Sequence, residues 1–166
     1  GIQASIKTVM EGEAKMLRAH FYFDLVKHFK NIPVFDETVS AADVSTTKNT
    51  SDAAAWTLIE SDLNFAYSNL PETQSQLGRV NKWAAASLLA KAYLCQQKYS
   101  EANTLFDAII ANGKTPAGAK YALLDNFAGI FNAENDNHAE AVFDVESSMN
   151  TGSTQNANYF DDLNYP

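Results

Sequence analysis

LLAKAYLCQQKYSEANTLFDAII, residues 88–110, holds two short helical stretches separated by Gln96-Gln97-Lys98. Tyr93, Ala102 and Phe106 stand at offsets of nine and four. A methyl at Ala102 lets two helix backbones approach closely, and rings at 93 and 106 fill the flanks of such a crossing. The stretch therefore predicts a helical hairpin with a small residue at its tightest point.

Outward from this hairpin, the apolar residues keep helical spacing. Asn81 caps a third helix with Leu88, Leu89, Ala92, Tyr93 and Cys95 inside. Ser100 caps a fourth, with Leu105, Phe106, Ile109 and Ile110 inside, and Gly113 offers a left-handed stop. Upstream, Ser51 caps a second helix carrying Trp56, Ile59, Leu63 and Ala66, which ends near Leu70-Pro71. A first helix runs from about Met10 to Lys30 and ends before Pro33, because the residue preceding proline is pushed out of the α region. Leu17, Phe21, Leu25 and Phe29 recur on it every four residues, while Phe23 and Val26 face another side. So wide an apolar surface implies packing on two sides.

Leu89, Ala90, Tyr93, Ala102 and Phe106 fit the tetratricopeptide pattern, although Lys114 stands near its expected final proline. The Ser-, Thr- and Ala-rich loop from about Val34 to Thr50 interrupts any array that includes the first two helices. The fold class expected is all-α: an interrupted tetratricopeptide-like scaffold over residues 1–146, with irregular loops and a short strand at its end. A polar, Asn- and aromatic-rich loop or tail follows over 147–166.

Composition narrows the function. Among 166 residues, 46% are hydrophobic and 11% aromatic, which is too apolar for a disordered chain and enough for one full domain. No run of apolar residues is long enough for a membrane-spanning helix. All 12 Lys and Arg lie within residues 1–120, while eight of the 20 acids follow Lys120. That acidic segment repels phosphate backbones and argues against nucleic acid as a partner. Cys95 is alone, so no intrachain disulfide forms, and its place in an apolar stripe suggests a buried, inert thiol.

Catalytic and metal patterns are missing. His20, His28 and His138 lack ligand spacing, and ENDNHAE (134–140) lacks the glycine and closing Glu of a twelve-residue calcium loop. Asp161 and Asp162 are adjacent and usually point apart, so they make no glycosidase pair. No phosphate loop or nucleophile elbow occurs. Neither an enzyme nor a cofactor is expected. Arg18 and Arg79 suit structural pairing with carboxylates or carbonyls.

Four segments, in order, carry a family resemblance: GEAKMLRAHFYFDLVKHFKNIPVF (12–35), TLIESDLNFAYSNLP (57–71), GRVNKWAAASLLAKAYL (78–94) and AEAVFDVE (139–146). Together they resemble the SusD/RagB family of outer-membrane glycan-binding lipoproteins. Members of that family are considerably longer and begin with a lipoprotein leader whose cysteine is acylated. The chain opens on Gly1 and is expected to be a fragment or processed form, with any lipid anchor outside it. The resemblance implies a surface-exposed lipoprotein that captures oligosaccharide or another nutrient for a TonB-dependent, SusC-like transporter. It also implies that the AEAVFDVE segment is the family's strand.

Sugar sites combine flat ring faces with convergent amides and carboxylates. In this sequence those groups cluster after Ser147, which makes Asn158, Tyr159, Phe160 and Asp162 candidate ligand contacts. The same composition also fits a polar loop whose rings dock on the scaffold. Trp83, at the start of the third helix, is a second candidate platform, whereas Trp56 shares a stripe with Ile59 and Leu63 and reads as core. The competing reading is a protein-interaction scaffold with no direct ligand contact.

Overall fold

Helix-forming sequence and hairpin turns produce four helices in the computed structural model, which describes residues 2–132 and 135–144. Helix α1 spans Ala4–Phe29, α2 Asp52–Asn69, α3 Lys82–Cys95 and α4 Tyr99–Asn112. Each helix packs chiefly on the next in sequence, and α1 barely touches α3, which is the order of a helical repeat array. The core lies between these layers, built from Met16, Phe23, Ile59, Leu63, Leu89 and a series of fully buried alanines.

Small residues set the spacing. Gly12 faces α2 so closely that an added Cβ would come within 3.1 Å of the Leu70 side chain. Ala85, Ala86, Ala90 and Ala92 leave α3 buried on nearly every side between its neighbours, and Ala102 on α4 has no exposed surface at all. The Tyr93–Ala102–Phe106 spacing thus marks a real close crossing. Between α3 and α4, Gln97 adopts φ 62°, and the Lys98 amide returns to the Tyr93 carbonyl at 2.9 Å.

Caps differ in part from the sequence expectation. Asn81 does cap α3, accepting from the Ala84 amide at 2.9 Å. Ser51 precedes α2 without a side-chain cap. Helix α4 starts at Tyr99, one residue before Ser100, with Lys98 in the cap position. Gly113 is not left-handed, having φ −61°. Glycine is needed there for space, because a Cβ would sit 2.4 Å from the Ile109 carbonyl oxygen and 2.6 Å from the Tyr121 ring.

Among the described residues no strand forms; Lys114 and Lys120 make one isolated antiparallel bridge. The strand expected over 139–146 is therefore corrected for residues 139–144, and Val145 and Glu146 lie outside the described residues. A strand needs a ladder partner, whereas this segment lies over the helices, with Val142 and Phe143 packed against the core. Cys95 is exposed rather than buried, because it falls in the last turn of α3, beyond the inner stripe.

Candidate functional site

The first helix and the strap after it are joined by charge. Asp62, on α2 and only 1% exposed, accepts from Arg18 Nε at 2.6 Å and from Nη2 at 2.7 Å. Lys15 approaches the same carboxylate at 3.4 Å and also donates to Glu37. Arg18 reaches Glu37 at 3.1 Å. The Lys15 hydrogen bond holds Glu37 down at about 2, and hydrogen bonding to Asp62 raises Arg18 above its ordinary value. Tyr22 completes the seam by accepting from the Phe35 amide at 2.8 Å. These groups satisfy one another, so the cluster fastens the 32–37 segment to α1 and α2. It is a structural pin.

A second polar anchor lies under α3. Buried Asn81 donates to the Glu72 and Lys114 carbonyls, each at 2.9 Å, while its oxygen caps the helix. Arg79 pairs with Glu13 of α1 at 2.8 Å. Both arginines singled out in the sequence are therefore paired with carboxylates. The described residues contain no group of three or more acidic, His or Cys side chains able to hold a metal ion.

Trp83 is not a ligand platform. It is 4% exposed, packed beside Tyr67 of α2 on a helix that lies between α2 and α4. Its ring tilts against Tyr67 at 6.3 Å, and the Lys82 ammonium lies over both rings. Trp56, as expected of core, meets Phe23 edge to face at 5.9 Å. Asn158, Tyr159, Phe160 and Asp162 lie outside the described residues.

The described residues do present rings that the sequence reading passed over. Phe127 and Phe131 form an edge-to-face pair, 5.4 Å between centroids and 74% and 75% exposed. A 3₁₀ turn, Phe127–Phe131, carries them. Asn126 holds this turn by accepting from the Ala128 amide at 2.9 Å, and Asn135 donates to the Gly129 carbonyl at 3.0 Å. The readable signal was two Phe four residues apart between asparagines, in the stretch beyond Lys120 that has acids and no base.

Among the described residues, two hollows adjoin α1. One, of about 280 Å³, lies between α1 and α3 under Val142 and Phe143, with His20, Ser87 and Lys91 among its lining residues. The other, of about 380 Å³, runs between Phe21 and Leu25 on α1 and Ile32, Pro33 and Phe35 on the strap. Its wall is almost wholly apolar.

Residues 3–94 match the SusD-like family described as "Starch-binding associating with outer membrane". A SusD-like protein of Bacteroides ovatus is 25% identical over 150 residues, covering 87% of this chain and 27% of that protein. A solved laminarin-binding SusD-like protein superposes with a TM-score of 0.77 and 31% identity, over 86% of this chain and 31% of that one. A SusD superfamily structure from Bacteroides vulgatus gives a TM-score of 0.75 at 27% identity, over 86% and 29% of the two chains. The chain thus spans roughly a quarter to a third of these relatives. With more than half its residues inside the family match, and the helical array shared with solved members, the chain belongs to the SusD-like family.

Proposed function

We propose that this chain is part of a carbohydrate-binding component of an outer-membrane uptake system. In this reading the protein is a surface-exposed lipoprotein that captures oligosaccharide for a TonB-dependent, SusC-like transporter. The observation that carries it is the family match over residues 3–94, whose description names starch binding and the outer membrane. The laminarin-binding structural relative points to the same ligand class. The four helices serve as scaffold, and the sugar contacts come from irregular segments, since scaffolds usually carry binding residues on their connections.

Within this chain the contacts proposed are Tyr159 or Phe160 for the ring face, and Asn158 and Asp162 for hydroxyls. Phe127 and Phe131 are further exposed rings suited to stacking. Acids without a base after Lys120 favour a neutral glycan over a sulfated or uronate one. Calorimetry of the full-length protein against neutral oligosaccharides tests this. Removing a stacking ring by Tyr159→Ala or Phe160→Ala is expected to weaken binding by about 1–2 kcal/mol, the scale of aromatic contacts. Unchanged affinity in both variants moves the site out of this segment.

A further inference from the structure

Past α4 the chain runs out to the Phe127–Phe131 turn and back, and polar groups close its two feet. The first links are backbone alone: the Tyr121 amide donates to the Gly113 carbonyl at 3.0 Å, and the Ala122 amide to the Ala139 carbonyl at 3.2 Å. The next link is a side chain. Glu140 Oε2 accepts from the Leu124 amide at 3.1 Å, across 16 residues of sequence. His138 fixes the backbone of that acid, since its Nδ1 accepts from the Glu140 amide at 3.1 Å and its carbonyl from the Ala141 amide at 3.0 Å. Immediately beyond, Val142 and Phe143 rest on the core, which gives the returning foot a fixed base.

Glu140 belongs to AEAVFDVE, the segment expected to be a strand. No strand forms over 139–144, and the acid of that segment serves the neighbouring stretch of chain instead. Its surroundings explain why. No Lys or Arg follows Lys120, so this part of the chain has no cation of its own to neutralise a half-buried carboxylate. A backbone N–H takes that place, and a hydrogen bond to an ionised acceptor is roughly twice as strong as a neutral one. The donors and acceptors all come from the two feet, so the pairing asks nothing of the rest of a longer chain. We infer that Glu140 is a positioning residue: its carboxylate clasps 122–132 to 138–141, holds the Phe127–Phe131 turn in place, and releases it without the helices unfolding. The clasp is independent of glycan binding, and only its bearing on sugar contact rests on the proposed role of the ring pair.

Hydrogen–deuterium exchange of the complete polypeptide, read by mass spectrometry, tests it on Glu140→Ala and Glu140→Gln. In Glu140→Ala, peptides within 122–132 are expected to exchange about ten- to a hundred-fold faster, while those of α3 keep the parent rate. Glu140→Gln retains an acceptor oxygen and should keep most of the protection. An unchanged rate within 122–132 overturns the proposal. A parallel rise in α3 also overturns it, because Glu140 would then serve only overall stability. A Gln variant that exchanges as fast as the Ala one refutes the acceptor role. Titration of the same variants with neutral oligoglucan separates the clasp from the glycan reading. Faster exchange with weaker binding supports both, whereas faster exchange with unchanged affinity supports the clasp and removes the ring pair from the sugar site.

Discussion

Asp62→Ala isolates the pin between α1, α2 and the strap. The substitution deletes a carboxylate with 1% exposure that receives two charge-assisted bonds from Arg18, at 2.6 and 2.7 Å. Removing one partner of a buried pair costs about 3–5 kcal/mol when the other is left stranded. Arg18 is not fully stranded, since its side chain is 23% exposed and keeps Glu37 at 3.1 Å. The expected loss is therefore smaller, about 2–3 kcal/mol. For a domain of this size each kcal/mol lowers the melting midpoint by about 2–4 °C, so the shift should be roughly 5–10 °C. Glu37→Ala is the internal control: its side chain is 62% exposed, and surface ion pairs contribute about 0–1 kcal/mol. Calorimetric or circular-dichroism melts of the parent and both variants decide the matter. A midpoint drop for Asp62→Ala no larger than for Glu37→Ala would refute the claim that this carboxylate fastens the array.

Ala102→Leu should overpack the α3–α4 crossing and cost about 1–3 kcal/mol, while Ala111→Leu, at an exposed site on the same helix, should change stability by less than about 0.5 kcal/mol; equal shifts in denaturant midpoint would mean Ala102 is no close contact. Gly113→Ala should destabilise by a comparable amount, about 1–3 kcal/mol, through collision with the Ile109 carbonyl and the Tyr121 ring, and a neutral result in the same assay contradicts the packing argument. A small acid sensitivity follows from Glu37, whose carboxyl the Lys15 hydrogen bond draws from 4.5 down to about 2, although its exposure to screening solvent holds the contribution to about 0–1 kcal/mol. A depressed carboxylate contributes stability above its unfolded value, and that contribution disappears as pH falls from about 4.5 through about 2. Melts across that window should show a shallower decline for Glu37→Gln than for the parent.

The helices were legible because each carries an apolar stripe at helical spacing, and α2 and α3 begin and end where Ser51, Leu70-Pro71 and Asn81 predict. The Ala102 crossing was legible for the same reason, since a methyl between two rings has little other use. What α1 does with its two apolar faces was only half readable. Periodicity reveals both stripes, but their order of burial depends on which one meets α2, and Leu17, Phe21, Leu25 and Phe29 proved to be the open row. Trp83 misled because a position just past an N-cap is usually exposed, whereas α3 is enclosed by neighbours distant in sequence. The partner of Arg18 was equally hidden, since Asp62 lies 44 residues away and no local rule joins them. Exposed Phe127 and Phe131 escaped notice because a short 3₁₀ turn has no periodicity to read.

The most direct test is a two-step titration of the intact protein, first with neutral oligoglucans alone and then with a SusC-like transporter, the partner proposed for it. The account predicts saturable heat from glucan in the first step, before any transporter is added. Binding of the transporter with no glucan heat at any concentration would contradict it, and would leave the helical array as a protein-interaction scaffold.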